Sequence, residues 1–172
     1  MYIPVGIATS TPWLVFALVL LTIGLVMMYV PRTPACIVCY MALWAAKLSG
    51  FTPFTTGTMI FWGVAVAIVV ANRFLLPAFV RDSRRGLGYI ATGAIVGMAI
   101  GLTLYTAASV IIGAVVGSFL GALAYTRTSA GASLEFPTSK FFNYLGAKAI
   151  PAVIAASMAG LIFAGLIARS MF

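Results

Sequence analysis

The sequence predicts an all-α protein, a polytopic transmembrane helix bundle of about six spans that forms one integral membrane domain over residues 1–172. Three observations predict this fold class. The chain is 63% hydrophobic and only 7% charged, whereas soluble domains are about a quarter charged. Its apolar residues fall into long segments, most of them near the length that a hydrocarbon core about 30 Å thick requires. Its cations lie mostly between those segments.

The apolar segments are separated by prolines, basic residues or polar turns. Their predicted limits are 13–30, 35–49, 58–80, 89–104, 109–125 and 142–168. The first carries Trp13 as an interfacial anchor. It lacks a basic leader and ends at Pro31 without a small-residue cleavage site, so we expect a retained span and not a signal peptide. The second is short for a full crossing, and whether it crosses or is re-entrant stays open.

The loop cations predict an orientation in a bacterial inner membrane. If every segment crosses, most cations share one side, which the positive-inside rule makes cytoplasmic, so both termini lie on the non-cytoplasmic side. Lys47 and Arg169 fall opposite. The basic loop of Arg81, Arg84 and Arg85 sets this topology or also holds anionic lipid. Because the cations flank apolar spans, we expect no nucleic-acid partner.

Most catalytic and metal chemistry is excluded by residue type. The chain has no histidine and only two acids, Asp82 and Glu135, far apart in sequence. A metal site, a hydrolytic triad and a phosphate loop all lack their residues. Cys36 and Cys39 form a CxxC pair, which is redox-active in some proteins and an ordinary packing residue in others. We therefore expect no enzyme activity and no cofactor.

Two rows of glycine mark the fourth and fifth segments. Spacing of four places each row along one helix face, where backbones can approach closely, as in a glycine zipper. This pattern predicts a tightly packed helical hairpin; a pathway or sliding interface along the glycine seam is the alternative. The rows are Gly93, Gly97 and Gly101, and Gly113, Gly117 and Gly121.

An Ile-Gly-Leu sequence occurs in both halves of the chain, around Gly24 and again around Gly101. Each copy precedes a break and a helix rich in small residues; in the first half Pro31 and Pro34 make the break. The pattern predicts two repeats of three spans, 1–80 and 87–172. An odd number of spans would invert one repeat relative to the other, a plan common in secondary transporters.

The candidate binding residues are Asn72, Arg73 and Lys148. Arg73 follows Asn72 inside the third segment, and Lys148 lies about a turn before Pro151 in the sixth. Charged residues inside membrane spans are expensive and often functional. We weigh a site for an anionic solute or lipid headgroup against simple snorkelling of Arg73 to the interface.

The order IGLVMMYVPRTP, VANRFL, RDSRRG, GAIVGMAIG and GAVVGSFLGAL resembles the bacterial integral membrane family catalogued as domain of unknown function 456. The resemblance covers nearly the whole chain and implies an architecture, because the family has no settled activity. Its members often carry Asp and Glu where this chain has Asn72 and Ala122. The resemblance therefore implies a function that does not depend on a buried acid at those positions.

Two functions remain open from the sequence. The first is a small transporter or channel-like protein for an anionic or amphipathic solute, with its site between the proline break and the glycine rows. The second is a non-catalytic structural or accessory membrane subunit. Its partners would be anionic lipid headgroups, other membrane subunits or copies of itself.

Overall fold

The computed structural model describes residues 5–30, 35–50, 52, 54–75, 86–104, 106–132 and 136–170. Within these ranges the chain forms six α-helices and no strands, so the all-α fold class is confirmed. The helices are α1 (Val5–Met27), α2 (Ala35–Leu48), α3 (Thr56–Leu75), α4 (Leu87–Leu102), α5 (Ala107–Thr126) and α6 (Ser139–Ser170).

The helices agree with the six predicted segments, and their ends have local causes. At the start of α5, the Thr106 hydroxyl accepts a hydrogen bond of 3.1 Å from the Ser109 amide. At the start of α6, the Thr138 hydroxyl accepts one of 3.2 Å from the Phe141 amide. Such caps satisfy amides that have no partner within the helix. The last predicted residues of the third segment, 76–80, lie outside the described residues.

By length and composition, α5 and α6 could each cross a membrane. The other four helices contain shorter apolar stretches among the residues described. Helix α2 has 14 residues, which at 1.5 Å per residue is about 21 Å. This short helix agrees with the predicted short second segment.

Helix α6 is the centre of the bundle, and each of the other five helices packs against it. Its middle is buried on every side, from Ala155 through Ile162. A helix that is apolar all round is one that other elements surround. Most of these residues are small, which lets several helices approach the same axis.

Two helical hairpins, α1–α2 and α4–α5, are the most closely paired elements around α6. At one end of the bundle, Tyr29 after α1 and Thr92 of α4 share a hydrogen bond of 3.2 Å. Arg127 follows the last residue of α5, and Lys140 lies in the first turn of α6. Both lie at this same end of the bundle, which we call the basic end. At the opposite end, Gly165 of α6 lies against Thr52, between α2 and α3.

Candidate functional site

The two glycine rows lie face to face between α4 and α5. A Cβ atom added to Gly97 would fall on the carbonyl oxygen of Gly113, and one added to Gly113 would fall on that of Gly97. Gly93 and Gly117 are related in the same reciprocal way. The backbones are therefore in direct contact, as glycine spacing of four predicts.

The same antiparallel register continues to both ends of the hairpin. A Cβ atom on Gly121 would meet the carbonyl of Tyr89, and one on Gly101 would meet that of Ser109. The Ser109 hydroxyl donates a hydrogen bond of 2.7 Å to the Gly101 carbonyl. This bond joins the end of α4 to the start of α5. The two helices are therefore in contact along the whole length of the hairpin.

The close approach leaves an open groove on the outward face of the hairpin. Its volume is about 670 Å³, within the range of about 300–1,000 Å³ typical of ligand sites. Glycines form its floor and larger apolar side chains form its walls. The lining residues are Gly88, Tyr89, Thr92, Gly93, Val96, Gly97, Ile100, Gly113, Val116, Gly117, Leu120, Gly121 and Ala124.

The inward face of the hairpin is packed against α6. Ala94 of α4 and Ala114 of α5 are fully buried there. A Cβ atom on Gly160 of α6 would come within 2.8 Å of Met98 and closer still to Val110. The groove therefore lies on the outside of the bundle, and dense packing lies behind it.

The two helices of the α1–α2 hairpin also approach closely at a glycine. A Cβ atom on Gly24 would lie 2.5 Å from the Cys39 sulfur and 3.3 Å from the Cys39 amide nitrogen. The Cys36 and Cys39 side chains are both buried. The glycine of each Ile-Gly-Leu copy thus meets the early part of the second helix of its hairpin. Pro31 and Pro34 lie outside the described residues.

A cluster of three tyrosines and a lysine lies at the basic end. The Tyr125 and Tyr144 rings stack with centroids 5.9 Å apart, and Tyr89 lies 5.7 Å from Tyr125. The Lys148 ammonium lies 5.2 Å from the Tyr144 ring centroid, within the range of a cation–π contact. Lys148 is only 6% exposed.

Gly86, the residue just before α4, lies in contact with this tyrosine cluster. Its φ angle is 71°, in the left-handed region. A Cβ atom there would fall on the Tyr144 hydroxyl and within 2.6 Å of the Tyr125 ring. The sequence did not predict this cluster, because its tyrosines are far apart in the chain. The one available signal was that each tyrosine lies near a helix end that also carries basic residues.

The predicted site of Asn72, Arg73 and Lys148 stays a prediction. Lys148 belongs to the tyrosine cluster, and Asn72 is half-buried on α3. The side chain of Arg73 lies outside the described residues, as does the basic loop of Arg81, Arg84 and Arg85. In the described part of the chain, no group of three His, Cys, Asp or Glu residues could hold a metal ion.

Ser157 is a fully buried polar residue in the middle of α6. Its hydroxyl has no hydrogen-bond partner within the part of the chain that the structure describes. Burying such a group costs free energy, about 1–3 kcal/mol. We expect Ser157→Ala to raise the free energy of unfolding by about 1 kcal/mol, measured by thermal denaturation in detergent.

Ser118→Ala is the matched control for this substitution. Ser118 is equally buried on α5, but its hydroxyl donates a hydrogen bond of 2.8 Å to the Val115 carbonyl. Ser118→Ala should therefore be neutral or slightly destabilising. A loss of stability in Ser157→Ala larger than that in Ser118→Ala would show that the Ser157 hydroxyl has a hydrogen-bond partner in the folded protein.

In comparisons with known proteins, no family model, no curated protein and no solved structure matches this chain.

Proposed function

We propose that the chain is a multi-pass inner-membrane protein with a non-catalytic, accessory role. In this role it binds a neighbouring membrane molecule on the outward face of the α4–α5 hairpin. The observation that carries the proposal is the apolar groove on that face. It is the size of a ligand site, it opens outward, and the hairpin behind it is closed by backbone contact.

Several features support membrane insertion of the whole bundle. Large apolar side chains are exposed on each of the six described helices, among them Val26, Ile68, Ile100 and Ile112. Soluble monomers rarely expose extensive apolar surface, whereas lipid-facing helices require it. Along α6, Tyr144 at the basic end and Gly165 at the opposite end are separated by about 31 Å at 1.5 Å per residue, close to the thickness of a hydrocarbon core.

Exposed aromatic residues support the same placement. Trp13 and Trp44 are exposed towards the opposite end of the bundle, and Tyr29 and Tyr89 are exposed near the basic end. Trp and Tyr concentrate at both membrane interfaces. Arg127 and Lys140 at the basic end favour the cytoplasm for that side. Both termini would then lie on the non-cytoplasmic side.

The close packing favours the accessory role over transport. A pathway between the proline break and the glycine rows would need space near Gly24, Gly101 and Gly113. A Cβ atom at any of these positions would meet backbone atoms or the Cys39 sulfur. The described part of that region is therefore filled by protein, and a solute would have to separate the helices of both hairpins to pass.

Photo-crosslinking tests the proposal. A benzophenone amino acid would be placed at Val116 in the groove wall or, as a control, at Ile68 on α3. These residues are 50% and 62% exposed. The protein would be purified in detergent before irradiation, so that loosely held membrane molecules are removed. We expect adducts by intact-mass spectrometry at Val116 and none at Ile68, because a groove retains its occupant and a convex helix surface does not.

Equal labelling at the two positions, or no adduct at Val116, would contradict the accessory proposal. Solute flux provides a separate check. Proteoliposomes containing the protein should be no more permeable to small anions than empty liposomes. A protein-dependent anion flux would favour the transporter function instead.

A further inference from the structure

The groove is elongated and follows α4 and α5 along the bundle axis. From Gly88 to Ile100 along α4 it extends about 18 Å at 1.5 Å per residue. It therefore begins at the basic end and passes the middle of a hydrocarbon core about 30 Å thick. Its floor is glycine backbone, and Val96, Val116 and Leu120 stand on either side. This shape and composition fit a single hydrocarbon chain.

The mouth of the groove at the basic end has a different chemistry. Gly88 is open there, because a Cβ atom added to it would meet nothing within 4 Å. The exposed Tyr89 and the hydrogen-bonded hydroxyls of Thr92 and Tyr29 lie beside it. Arg127 is exposed one turn beyond Ala124, the last groove residue of α5. Residues three apart on a helix share a face, so Arg127 lies on the mouth side of α5.

We infer that the groove holds one acyl chain of an anionic phospholipid, whose phosphate lies at the basic end beside Arg127. An apolar groove with a hydroxyl- and arginine-bearing mouth fits an amphiphile better than a uniformly apolar partner helix. A net charge of +8 favours an anionic over a zwitterionic headgroup, since basic clusters at the membrane surface attract anionic lipid. The inference rests on the proposed membrane location and on the groove as the binding face.

Competition between lipids tests the inference on the full-length protein. Phosphatidylglycerol and phosphatidylcholine with identical acyl chains would be titrated onto delipidated protein in detergent and counted by native mass spectrometry. We expect phosphatidylglycerol to be favoured about fivefold, the effect of one arginine near the headgroup. Equal retention of the two lipids would overturn the inference.

Two variants separate the headgroup from the chain. Arg127→Gln should remove the preference for phosphatidylglycerol, whereas Lys47→Gln on α2, towards the opposite end, should leave it unchanged. Leu120→Trp should fill the groove and reduce retention of both lipids, whereas Ile68→Trp on α3 should not. Leu120 and Ile68 are both exposed, and size-exclusion profiles would check that all four variants fold. If Lys47→Gln removed the phosphatidylglycerol preference as fully as Arg127→Gln, or if Ile68→Trp reduced lipid retention as much as Leu120→Trp, the proposed lipid site would be wrong.

The crosslinking experiment at Val116 distinguishes failure of this inference from failure of the proposed function. A polypeptide adduct at Val116 would show that a partner helix or a second copy occupies the groove, which overturns the lipid inference and leaves the accessory function standing. The absence of any adduct at Val116 would defeat both. An adduct with the mass of an anionic phospholipid supports both.

Discussion

Gly97→Ala should reduce the free energy of unfolding by about 3 kcal/mol, the upper part of the range for overpacking a core. The atoms that a methyl group would meet are the Gly113 carbonyl and the Gly117 Cα, which belong to the backbone of α5. No side chain can rotate away, so the two helices must move apart along their contact. The expected result is a large drop in the denaturation temperature in detergent.

Gly146→Ala is the matched control, because Gly146 is also helical but has nothing within 4 Å of its added Cβ atom. There the methyl group should stabilise the helix by up to about 1 kcal/mol, the difference in helix propensity between alanine and glycine. If Gly97→Ala lowered the free energy of unfolding no more than Gly146→Ala, the result would contradict the backbone contact between α4 and α5.

Gly86→Ala should also cost about 3 kcal/mol, from two causes that add. The left-handed backbone at Gly86 costs an alanine about 1–2 kcal/mol. The new methyl group would in addition meet the Tyr144 hydroxyl and the Tyr125 ring, an overpacking cost of about 1–3 kcal/mol. Thermal denaturation of the purified variant measures the sum.

Gly50→Ala isolates the first of these causes. Gly50 has the same left-handed conformation, with φ of 68°, but nothing within 4 Å of an added Cβ atom. It should therefore lose only about 1–2 kcal/mol. Tyr144→Phe in the Gly86→Ala background should recover part of the difference by removing the hydroxyl. Equal losses in Gly50→Ala and Gly86→Ala would show that the tyrosine stack does not press on the start of α4.

The positions of the six helices could be predicted because apolar runs and helix-breaking residues are local signals. The pairing of α4 with α5 could also be predicted, since glycines four apart require a close neighbour along that face. The same rows explain the groove: with no side chains on the floor, the walls of Val96 and Leu120 stand apart. The sequence therefore predicted the contact between α4 and α5 but not the groove on the outward face of that contact.

The tyrosine cluster and the central position of α6 depend on tertiary packing and were not predicted. Tyr89, Tyr125 and Tyr144 meet only after three helices dock, and nothing in the spacing of three single tyrosines specifies that meeting. The small residues all round α6, such as Ala155, Ser157 and Gly160, were the available signal for a surrounded helix. The cations in the sequence favoured anionic lipid as one partner among several, but the apolar residues of the groove walls did not distinguish lipid from protein.

The central position of α6 has a consequence for how the bundle is made. In a two-stage view, helices insert first and associate afterwards, and synthesis delivers them in chain order. Helix α6 emerges after the other five, yet each of them packs against it. The two hairpins can therefore close during synthesis, but apart from the hydrogen bond between Tyr29 and Thr92 most of the surface that joins them is supplied by α6. For the proposed membrane protein, assembly would thus be completed by the last of these helices, and the two hairpins would stay only weakly joined until it is inserted.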